Sequence, residues 1–386
     1  MTTTKNNEHK KLNVPNLRFP EFEGEWVSKT IGDIAPLQRG FDLPTRQICN
    51  GKIPVVYSNG IMNHHSSYKC VAPGLVTGRS GTIGKFTYIE DGYYWPHNTS
   101  LWVTDFHDNN PKFIYYLYQT IHIEQYSTGS GVPTLNRNNV HRHKTFIPKL
   151  KEQNKIAAFL SLLDERISTQ SKIIDKLQSL IKGLNDFLYT QYGGEVLTSF
   201  GELGTSYSGL SGKSAQDFGS GKPFITYLNV YSNNVIKEND FQYVAIKDDE
   251  KQNVVKYGDV LFTLSSETPE EVGVGSVYLG KEKVYLNSFC FGIHITNTEV
   301  AFPPYLSYYV SLTAFRKFIY PYAQGSTRFN LCKADFEKAS IKLPTLADQK
   351  RIYSVLGHID CKIETERQML NLYNSQKQYL LRQMFI

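Results

Sequence analysis

A glycine-rich segment at residues 77–85, TGRSGTIGK, has the composition of a loop that could bind a phosphate. Its glycines would let the backbone approach a ligand and its two cations would supply positive charge; these residues are Gly78, Gly81, Gly84, Arg79 and Lys85. A Walker A nucleotide-binding loop is excluded, because Arg79 replaces its first glycine and Phe86 its hydroxyl residue. The alternative is a glycine-rich hairpin without a ligand.

Two other segments share parts of methyltransferase motifs without meeting their chemical requirements. In amino-methyltransferases the residue before Pro-Pro-Tyr accepts hydrogen bonds from the target amine, and Phe302, which precedes Pro303 here, cannot do so. The segment EVGVGS at residues 271–276 is too isolated to indicate an S-adenosylmethionine site. A helix start at the paired prolines explains the first segment better.

Metal ligands and nucleophiles are sparse. The only Glu-x-Lys lies at Glu8 to Lys10, and His141 and His143 have no carboxylate cluster near them in sequence. The cysteines are odd in number and scattered, at Cys49, Cys70, Cys290, Cys332 and Cys361. We therefore expect no metal, no disulfide, no catalytic residue and no cofactor bound by this chain, which points to a binding protein.

Length and charge indicate how many domains the chain has and what kind of partner it could bind. A chain of 386 residues favours two domains, and no run approaches the ~20 apolar residues of a membrane span. The polar start predicts no secretory signal and hence a cytoplasmic location without membrane contact. A net charge of +6 fits a polyanionic partner, although many proteins without one are as basic.

The chain contains an internal repeat. A shift of 196 positions superposes Gly129-Ser130 on Gly325-Ser326, Leu135 on Leu331, Pro148 on Pro344, Gln153 on Gln349, Ile156 on Ile352, Leu160 on Leu356, Asp164 on Asp360 and Ile167 on Ile363. At other offsets Tyr57 and Asn59 align with Tyr227 and Asn229, Ser80 aligns with Ser265, and Asn98 aligns with Asn287. The sequence predicts two related units, each a globular part followed by a helix.

Both helices carry a narrow apolar stripe at coiled-coil spacing. Each begins just after a proline, Pro148 or Pro344, and a run of about 35 residues would be a rod of roughly 50 Å. The predicted seam is Ile156, Leu160, Leu163, Ile167, Gln170, Ile174, Leu177, Ile181 and Leu184, with Ile352, Leu356, Ile359, Ile363, Glu366, Leu370, Tyr373 and Leu380. We expect the stripes to pair, with Gln170 and Glu366 as a polar layer that fixes register. The alternative is that each helix lies on its own domain's core.

Short strand-like runs and one helical stretch in each globular part, Pro111 to Tyr126 and Pro303 to Ala323, predict an α+β fold. The predicted divisions are a polar tail (1–15), a first domain (16–147), a first long helix (148–192), a second domain (193–343) and a second long helix (344–386).

These features together resemble the specificity subunit of type I restriction-modification systems. The residues that carry the resemblance are Gly-Arg-x-Gly-x-Ile-Gly-Lys from Gly78, Trp95-Pro96-His97-Asn98, and the repeated Gly-Ser, Pro-x-Leu-x-x-Gln and Ile-x-x-x-Leu-x-x-x-Asp-x-x-Ile patterns. The resemblance implies two target-recognition domains joined by two long helices that pair as an antiparallel coiled coil, in a pseudo-two-fold tandem repeat. It departs in the second half, where Leu264 stands opposite Arg79 and another loop replaces the glycine-rich one.

The resemblance also implies partners. These are double-stranded DNA, two modification subunits with S-adenosylmethionine for adenine-N6 methylation, and two ATP-dependent restriction subunits, with Mg and ATP on the partners. Local two-fold axes of duplex DNA suit two similar readers related by a two-fold, which agrees with antiparallel helices that set the spacing of two half-sites.

Arginine presents a fork to guanine and asparagine a bidentate pair to adenine, so these types lead the predicted base readers. They are Arg39, Asn59, Arg79, Ser80, Asn98 and Arg137 in the first domain, and Lys213, Asn229, Ser265, Asn287, Thr327 and Arg328 in the second. Predicted phosphate contacts are Gly78, Gly81, Gly84, Lys85, Arg142, Lys144 and Lys333.

Three other functions remain open from the sequence. One is a self-sufficient DNA methyltransferase or nuclease, which S-adenosylmethionine binding by the isolated chain would reveal. Another is a scaffold whose helices recruit partners without DNA, against which a salt-dependent DNA affinity would argue. The third is a recognition protein of another DNA modification system.

Overall fold

The computed structural model describes residues 13–128 and 133–386, and the chain divides into two compact units. Unit 1 comprises Met1–Ser171 with Gln368–Ile386, and unit 2 comprises Lys172–Arg367. Most of the predicted polar tail, and the Gly129-Ser130 member of the repeated pair, lie outside the described residues. Among the helices described, none combines the length and the apolarity that crossing a bilayer requires.

Unit 1 is a mixed structure of short strands and helices. In chain order it contains β1 (Val27–Thr30), α1 (Ile31–Ile34), β2 (Leu37–Arg39), β3 (Ile53–Tyr57), β4 (Gly60–His65), β5 (Cys70–Val71), β6 (Gly74–Gly78), β7 (Phe86–Ile89), β8 (Tyr93–Pro96), β9 (Ser100–Val103), α2 (Pro111–Thr120), β10 (Ser127–Thr128), β11 (Thr134–Leu135), α3 (Arg137–His141), β12 (Lys144–Ile147) and the start of α4 (Leu150–Tyr192). Its two main sheets have the orders β2-β9-β6-β7 and β4-β3-β8-β5. In the second of these, β3 and β8 run parallel.

Unit 2 contains β13 (Val196–Ser199), α5 (Phe200–Leu203), β14 (Gly204–Ser208), β15 (Phe218–Ile225), α6 (Tyr227–Ser232), β16 (Gln242–Val244), β17 (Val260–Thr263), β18 (Ser265–Ser266), β19 (Gly275–Val277), β20 (Tyr285–Leu286), β21 (Cys290–Ile295), α7 (Pro303–Tyr309), α8 (Thr313–Ile319), β22 (Ala323–Gly325), β23 (Phe329–Leu331), α9 (Lys333–Lys338), β24 (Ser340–Leu343) and the start of α10 (Leu346–Met384). Its sheets include β14-β21-β17-β19 and β16-β15-β20, with β15 and β20 parallel.

The two units share one topology. The order β14-β21-β17-β19 repeats β2-β9-β6-β7 strand for strand, the parallel pair β15 and β20 repeats β3 and β8, and the pair β13 and β24 repeats β1 and β12. Because equivalent strands occur in the same chain order, the repeat predicted from the sequence is confirmed in the fold, and so is the α+β class.

Both predicted helical stretches are wrong in their extent. The first ends as α2 at Thr120, and a separate 3-10 helix follows at Ile123–Tyr126. The stretch from Pro303 to Ala323 forms two helices, α7 and α8, separated at residues 310–312. At this break Val310 and Leu312 are buried in the core of unit 2. A continuous helix would point these two side chains in other directions. Apolar spacing over so short a stretch does not distinguish one helix from two.

Helices α4 and α10 have 43 and 39 residues, lengths of about 65 Å and 60 Å. In unit 1, Asp164 of α4 pairs with Lys377 of α10, and Arg166 donates to the Tyr373 hydroxyl. In unit 2, Arg351 near the start of α10 lies over the ring of Tyr192 at the end of α4. Within each unit the two segments therefore run antiparallel.

All predicted seam positions are buried or half-buried. Ile156 and Leu160 lie in the core of unit 1 with Leu380, while Ile352 and Leu356 lie in the core of unit 2 with Leu184 packed against it. Lys377, a charged residue that interrupts the apolar stripe of α10, is accommodated because its ammonium lies 2.6 Å from the Asp164 carboxylate.

The repeated Pro-x-Leu-x-x-Gln pattern has a structural explanation. The Gln153 amide donates to the carbonyl of Pro148 at 3.0 Å and the side chain of Asn109 at 2.9 Å, and it accepts from the backbone N–H of Asn110. Gln349 is bonded in a similar way: its amide donates to the carbonyls of Pro344 and Val300, and it accepts from the N–H of Phe302. Each glutamine thus joins the start of a long helix to the loop before α2 or α7.

The repeated aspartate likewise serves packing. Tyr116 of α2 donates to Asp164 at 2.7 Å, and Tyr308 of α7 donates to Asp360 at 2.5 Å. Burial raises the pKa of both tyrosines, so both hydroxyls keep their protons and remain donors. The most recognisable sequence patterns of the chain therefore hold each globular part on its helices.

Candidate nucleic-acid interface

The glycine-rich loop of unit 1 is fixed by backbone hydrogen bonds on both sides. The Arg79 N–H donates to the Thr99 carbonyl at 2.9 Å, and the Arg79 carbonyl accepts from the Leu135 N–H at 2.7 Å. A Cβ on Gly78 would lie 1.7 Å from the Thr82 carbonyl oxygen, and Gly81 has a positive φ of 78°. Glycine is required at both positions because the loop folds back on itself there.

Three of the predicted arginines meet at one open cleft of about 440 Å³. Its lining residues are Arg39, Arg79, Leu101, Thr128, Thr134, Leu135, Asn136, Arg137 and Asn138. Arg39 ends β2, Arg79 follows β6 and Arg137 begins α3, and β9 lies between β2 and β6 in the sheet. Within the described part of the chain, no carboxylate lines this cleft.

Two further predicted residues lie at its edge. Arg79 donates to the Asn98 carbonyl at 3.5 Å, and the Asn98 amide donates to Asp42. Arg39 also approaches Asp42 at 3.4 Å, in a pair exposed on both sides. The structure thus groups Arg39, Arg79, Asn98 and Arg137, while Ser80 pairs with Thr134 beside them.

Lys85 and Asn59 form a separate pair. The Lys85 ammonium donates to the Asn59 carbonyl at 2.8 Å, which holds the end of the glycine-rich loop against the turn between β3 and β4. Both residues are exposed, so the amide of Asn59 remains accessible. The exposed Arg142 and Lys144 lie elsewhere, beyond α3 and at the start of β12.

The two histidines near Arg137 serve the fold. His141 Nε2 accepts from the Leu37 N–H at 2.8 Å, and burial lowers its pKa, with the nearby Arg137 adding to the effect. His143 pairs with the Tyr126 hydroxyl at 2.7 Å, and burial lowers its pKa as well. Both imidazoles are therefore held neutral.

Unit 2 places other residues at the equivalent positions. Leu264 makes the backbone bonds of Arg79, since its N–H donates to the Phe289 carbonyl and its carbonyl accepts from the Leu331 N–H. Ser208 pairs with Phe291 as Arg39 pairs with Leu101, and Lys333 begins α9 as Arg137 begins α3. The positions of Arg39, Arg79 and Arg137 thus become Ser208, Leu264 and Lys333.

The predicted residues near this end of unit 2 gather around Arg328. The Arg328 guanidinium donates to the Ser265 hydroxyl at 2.8 Å and lies over the ring of Phe289, with Thr327 exposed beside it. The Lys333 ammonium lies over the Phe291 ring and 3.7 Å from Glu337. Unit 2 therefore supplies its arginine from the β22–β23 hairpin rather than from the loop after the central strand.

Two predicted base readers of unit 2 have structural roles instead. Lys213 forms an ion pair with Glu250 and donates to the Ala245 carbonyl, and only 7% of its side chain is exposed. Asn229 is buried and caps α6 through Thr226, whose N–H and hydroxyl donate to its amide oxygen. Capping residues and base readers are drawn from the same polar types, so residue type did not separate the two roles.

Two alignments made from the sequence are wrong by one residue. His97 donates its N–H to Val56 as Asn287 donates to Ile225, so His97 rather than Asn98 is the counterpart of Asn287. After Val56 the chain forms a turn, whereas after Ile225 it forms α6, so Asn59 and Asn229 are not equivalent. The Ser80 and Ser265 alignment is confirmed by their pairing with Thr134 and Asn330.

The polar residues that complete the cleft, Thr128, Asn136 and Asn138, were not among the residues predicted from the sequence. Asn136 caps α3 by accepting from the Asn138 N–H at 3.0 Å. The signal for this edge was the polar run Asn136 to Asn139 directly after the strand residue Leu135. Across residues 13–128 and 133–386, no group of three histidine, cysteine or carboxylate residues could hold a metal ion.

These features define a class: a duplicated α+β protein in which each unit gathers cations at one end of a four-stranded sheet, as a binder of a polyanion would. The chain belongs to the family described as type I restriction modification DNA specificity domain, which it matches twice, over residues 23–179 and 200–372. The two matches fall on the two copies of the repeat.

Two curated relatives are specificity subunits of type I restriction enzymes. One, from Methanocaldococcus jannaschii, is 28% identical over 262 residues, which cover 61% of this chain and 56% of the relative. The EcoprrI specificity subunit from Escherichia coli is 24% identical over 153 residues, 38% of each chain. The matches thus span about half or less of these relatives' own lengths.

Solved structures share the fold over nearly the whole chain. The S subunit of a type I restriction-modification system from M. genitalium has a TM-score of 0.57 at 15% identity, with 97% of this chain and 99% of that chain covered. A chain from a study of complex assembly in a type I restriction-modification system has a TM-score of 0.55 at 16% identity, with 92% and 96% covered.

Proposed function

We propose that this chain reads DNA sequence for a type I restriction-modification complex, with each unit reading one half of an asymmetric bipartite site. The observation that carries the proposal is the placement of the family's two domains on two units with one topology, whose equivalent positions hold different side chains. Arg39, Arg79 and Arg137 in unit 1 correspond to Ser208, Leu264 and Lys333 in unit 2, so the two half-sites differ.

The proposal extends to partners and cofactors. The chain itself carries no catalysis; two modification subunits dock on the paired helices and bring S-adenosylmethionine for adenine-N6 methylation, and two restriction subunits bring ATP and Mg. The long helices set the spacing between the half-sites. The compartment is the cytoplasm, which agrees with five cysteines that form no disulfide in the described structure.

The test is single-molecule sequencing with base-modification detection in a host that carries the gene, in a deletion strain and in the strain with the gene restored. We expect a bipartite motif, two short defined segments separated by a gap, to lose adenine-N6 methylation on deletion and to regain it on restoration. An unchanged pattern in a host with a demonstrably active modification subunit would contradict the proposal and leave a scaffold role.

A second measurement separates the proposal from a self-sufficient enzyme. Isothermal titration of the isolated chain with S-adenosylmethionine should give no binding heat, while the assembled complex should bind it. Saturable binding to the isolated chain would favour a methyltransferase with an unrecognised active site.

A further inference from the structure

The cleft of unit 1 concentrates more positive than negative charge. Arg39 and Arg137 are exposed and Arg79 is half-buried, and they line one cleft with hydroxyl and amide side chains. Within the described residues, the only carboxylate that pairs with any of the three is Asp42, at 3.4 Å from Arg39. Like charges gathered in this way repel one another until a ligand rich in acceptors enters.

The sheet sets the spacing of these arginines. Arg39 pairs with Leu101 of β9, and Leu101 pairs with Thr77 of β6, two residues before Arg79. Two strand spacings of about 4.8 Å separate β2 from β6, which places the backbones of Arg39 and Thr77 about 10 Å apart. Arg79 lies two residues, or about 6.6 Å, farther along the chain, so the backbones of Arg39 and Arg79 are about 12 Å apart. Three to four base-pair steps of about 3.4 Å cover this distance. Arg137 follows Leu135, which is bonded to Arg79, and so extends the row.

The type of side chain selects the base. The arginine fork matches the O6 and N7 acceptors of guanine in the major groove, whereas a lysine offers a point charge without that geometry. Unit 2 keeps the sheet but places Ser208, Leu264 and Lys333 at the three positions, and none of these is an arginine. Its single arginine near this end, Arg328, is held by Ser265 and the Phe289 ring.

We propose that Arg39, Arg79 and Arg137 make the half-site of unit 1 the guanine-rich half, with at least two guanine–cytosine pairs within about four base pairs, and that unit 2 reads a half with fewer, one of them through Arg328. This inference rests on the proposed function and assigns to each unit the chemical class of its half-site. The glycine-rich loop positions Arg79, because the backbone bonds on both sides of that residue leave only its side chain to extend into the cleft.

The test uses the full chain in a host with its modification subunit and a plasmid library in which each half of the motif is randomised in turn. Methylation of every library member is scored for the wild-type chain and for Arg39→Ala, Arg79→Ala and Arg137→Ala. We expect each substitution to reduce discrimination at one guanine–cytosine pair of the same half by about 5- to 150-fold, with the other half unchanged. Arg328→Ala should instead relax one position in the other half.

Phosphate binding is the competing role for these arginines, and Arg79→Lys distinguishes the two. Lysine keeps the charge without the fork, so discrimination at the Arg79 position should fall for Lys as it does for Ala. Equal loss of methylation on all library members with Ala, together with wild-type discrimination with Lys, would overturn the inference in favour of a phosphate contact. Relaxation at adenine–thymine pairs would also overturn it.

The two proposals fail in different ways. If the wild-type chain directs no bipartite methylation while the modification subunit is active, the proposed function fails. If the motif is present but the half that responds to the three arginines contains fewer than two guanine–cytosine pairs, only the present inference fails. Arg39 and Arg137 are exposed and lie outside the cores, so their substitution leaves the fold in place for this comparison.

Discussion

Replacement of Gln153 by alanine should destabilise unit 1 because this side chain joins α4 to the loop before α2. The substitution removes three hydrogen bonds, to the Pro148 carbonyl, the Asn109 side chain and the Asn110 N–H, at a side chain that is 2% exposed. Two backbone groups lose their partners, and each unmet group costs about 1 to 2 kcal/mol. We expect a loss of about 2 to 4 kcal/mol in the free energy of unfolding, or about 4 to 16 °C in Tm for a unit of this size.

Tryptophan fluorescence gives a reading specific to unit 1, because Trp26, Trp95 and Trp102 are the protein's three tryptophans and all lie there. Gln376→Ala, at an exposed position of α10 within unit 1, is the matched control, since it makes the same change in helix propensity without the loss of these bonds. A Tm for Gln153→Ala within about 2 °C of the Gln376→Ala control would refute the role of Gln153 in joining α4 to the loop before α2.

Three further predictions concern other parts of the structure. Burial lowers the pKa of His97, His141 and His143 in unit 1, so the unfolded state binds more protons than the folded state below about pH 6.5. The contribution of these histidines to the free energy of unfolding should therefore be fully present above that pH and decline below it. We expect a lower Tm by tryptophan fluorescence at pH 5.5 than at pH 7.5, and a higher Tm at pH 5.5 would contradict the reasoning. Lys377→Met should cost unit 1 about 1 to 3 kcal/mol in urea unfolding by loss of the pair with Asp164, while Lys151→Met at an exposed position of α4 should cost little, and equal losses would rule out the pair as the cause. Asp259 is buried and accepts from the Tyr207 hydroxyl, from Lys256 N–H and from His294, so Asp259→Asn should speed hydrogen exchange of the β17 amides by about tenfold or more, and unchanged exchange would show that these bonds do not stabilise β17.

The features that sequence reasoning predicted correctly are those with a local or repeated signal. The two long helices are predicted by apolar residues that recur every three or four positions after Pro148 and Pro344. In the structure these helices begin at Leu150 and Leu346. The repeat is visible because equivalent residues occur in the same order in both halves. Such patterns depend on the 3.6-residue turn and on chain order, which require no knowledge of distant contacts.

The candidate site depended on contacts between distant parts of the chain. Successive members of the trio Arg39, Arg79 and Arg137 are about forty to sixty residues apart along the chain. They meet because β9 pairs with both β2 and β6 while Leu135 bonds to Arg79. Asn229 and Lys213 were predicted from their residue types to read bases, but in the fold Asn229 takes part in a helix cap and Lys213 in an ion pair. Strand pairing and burial are non-local, so the residues alone named the candidates, and only the tertiary structure decided which of them face a common ligand.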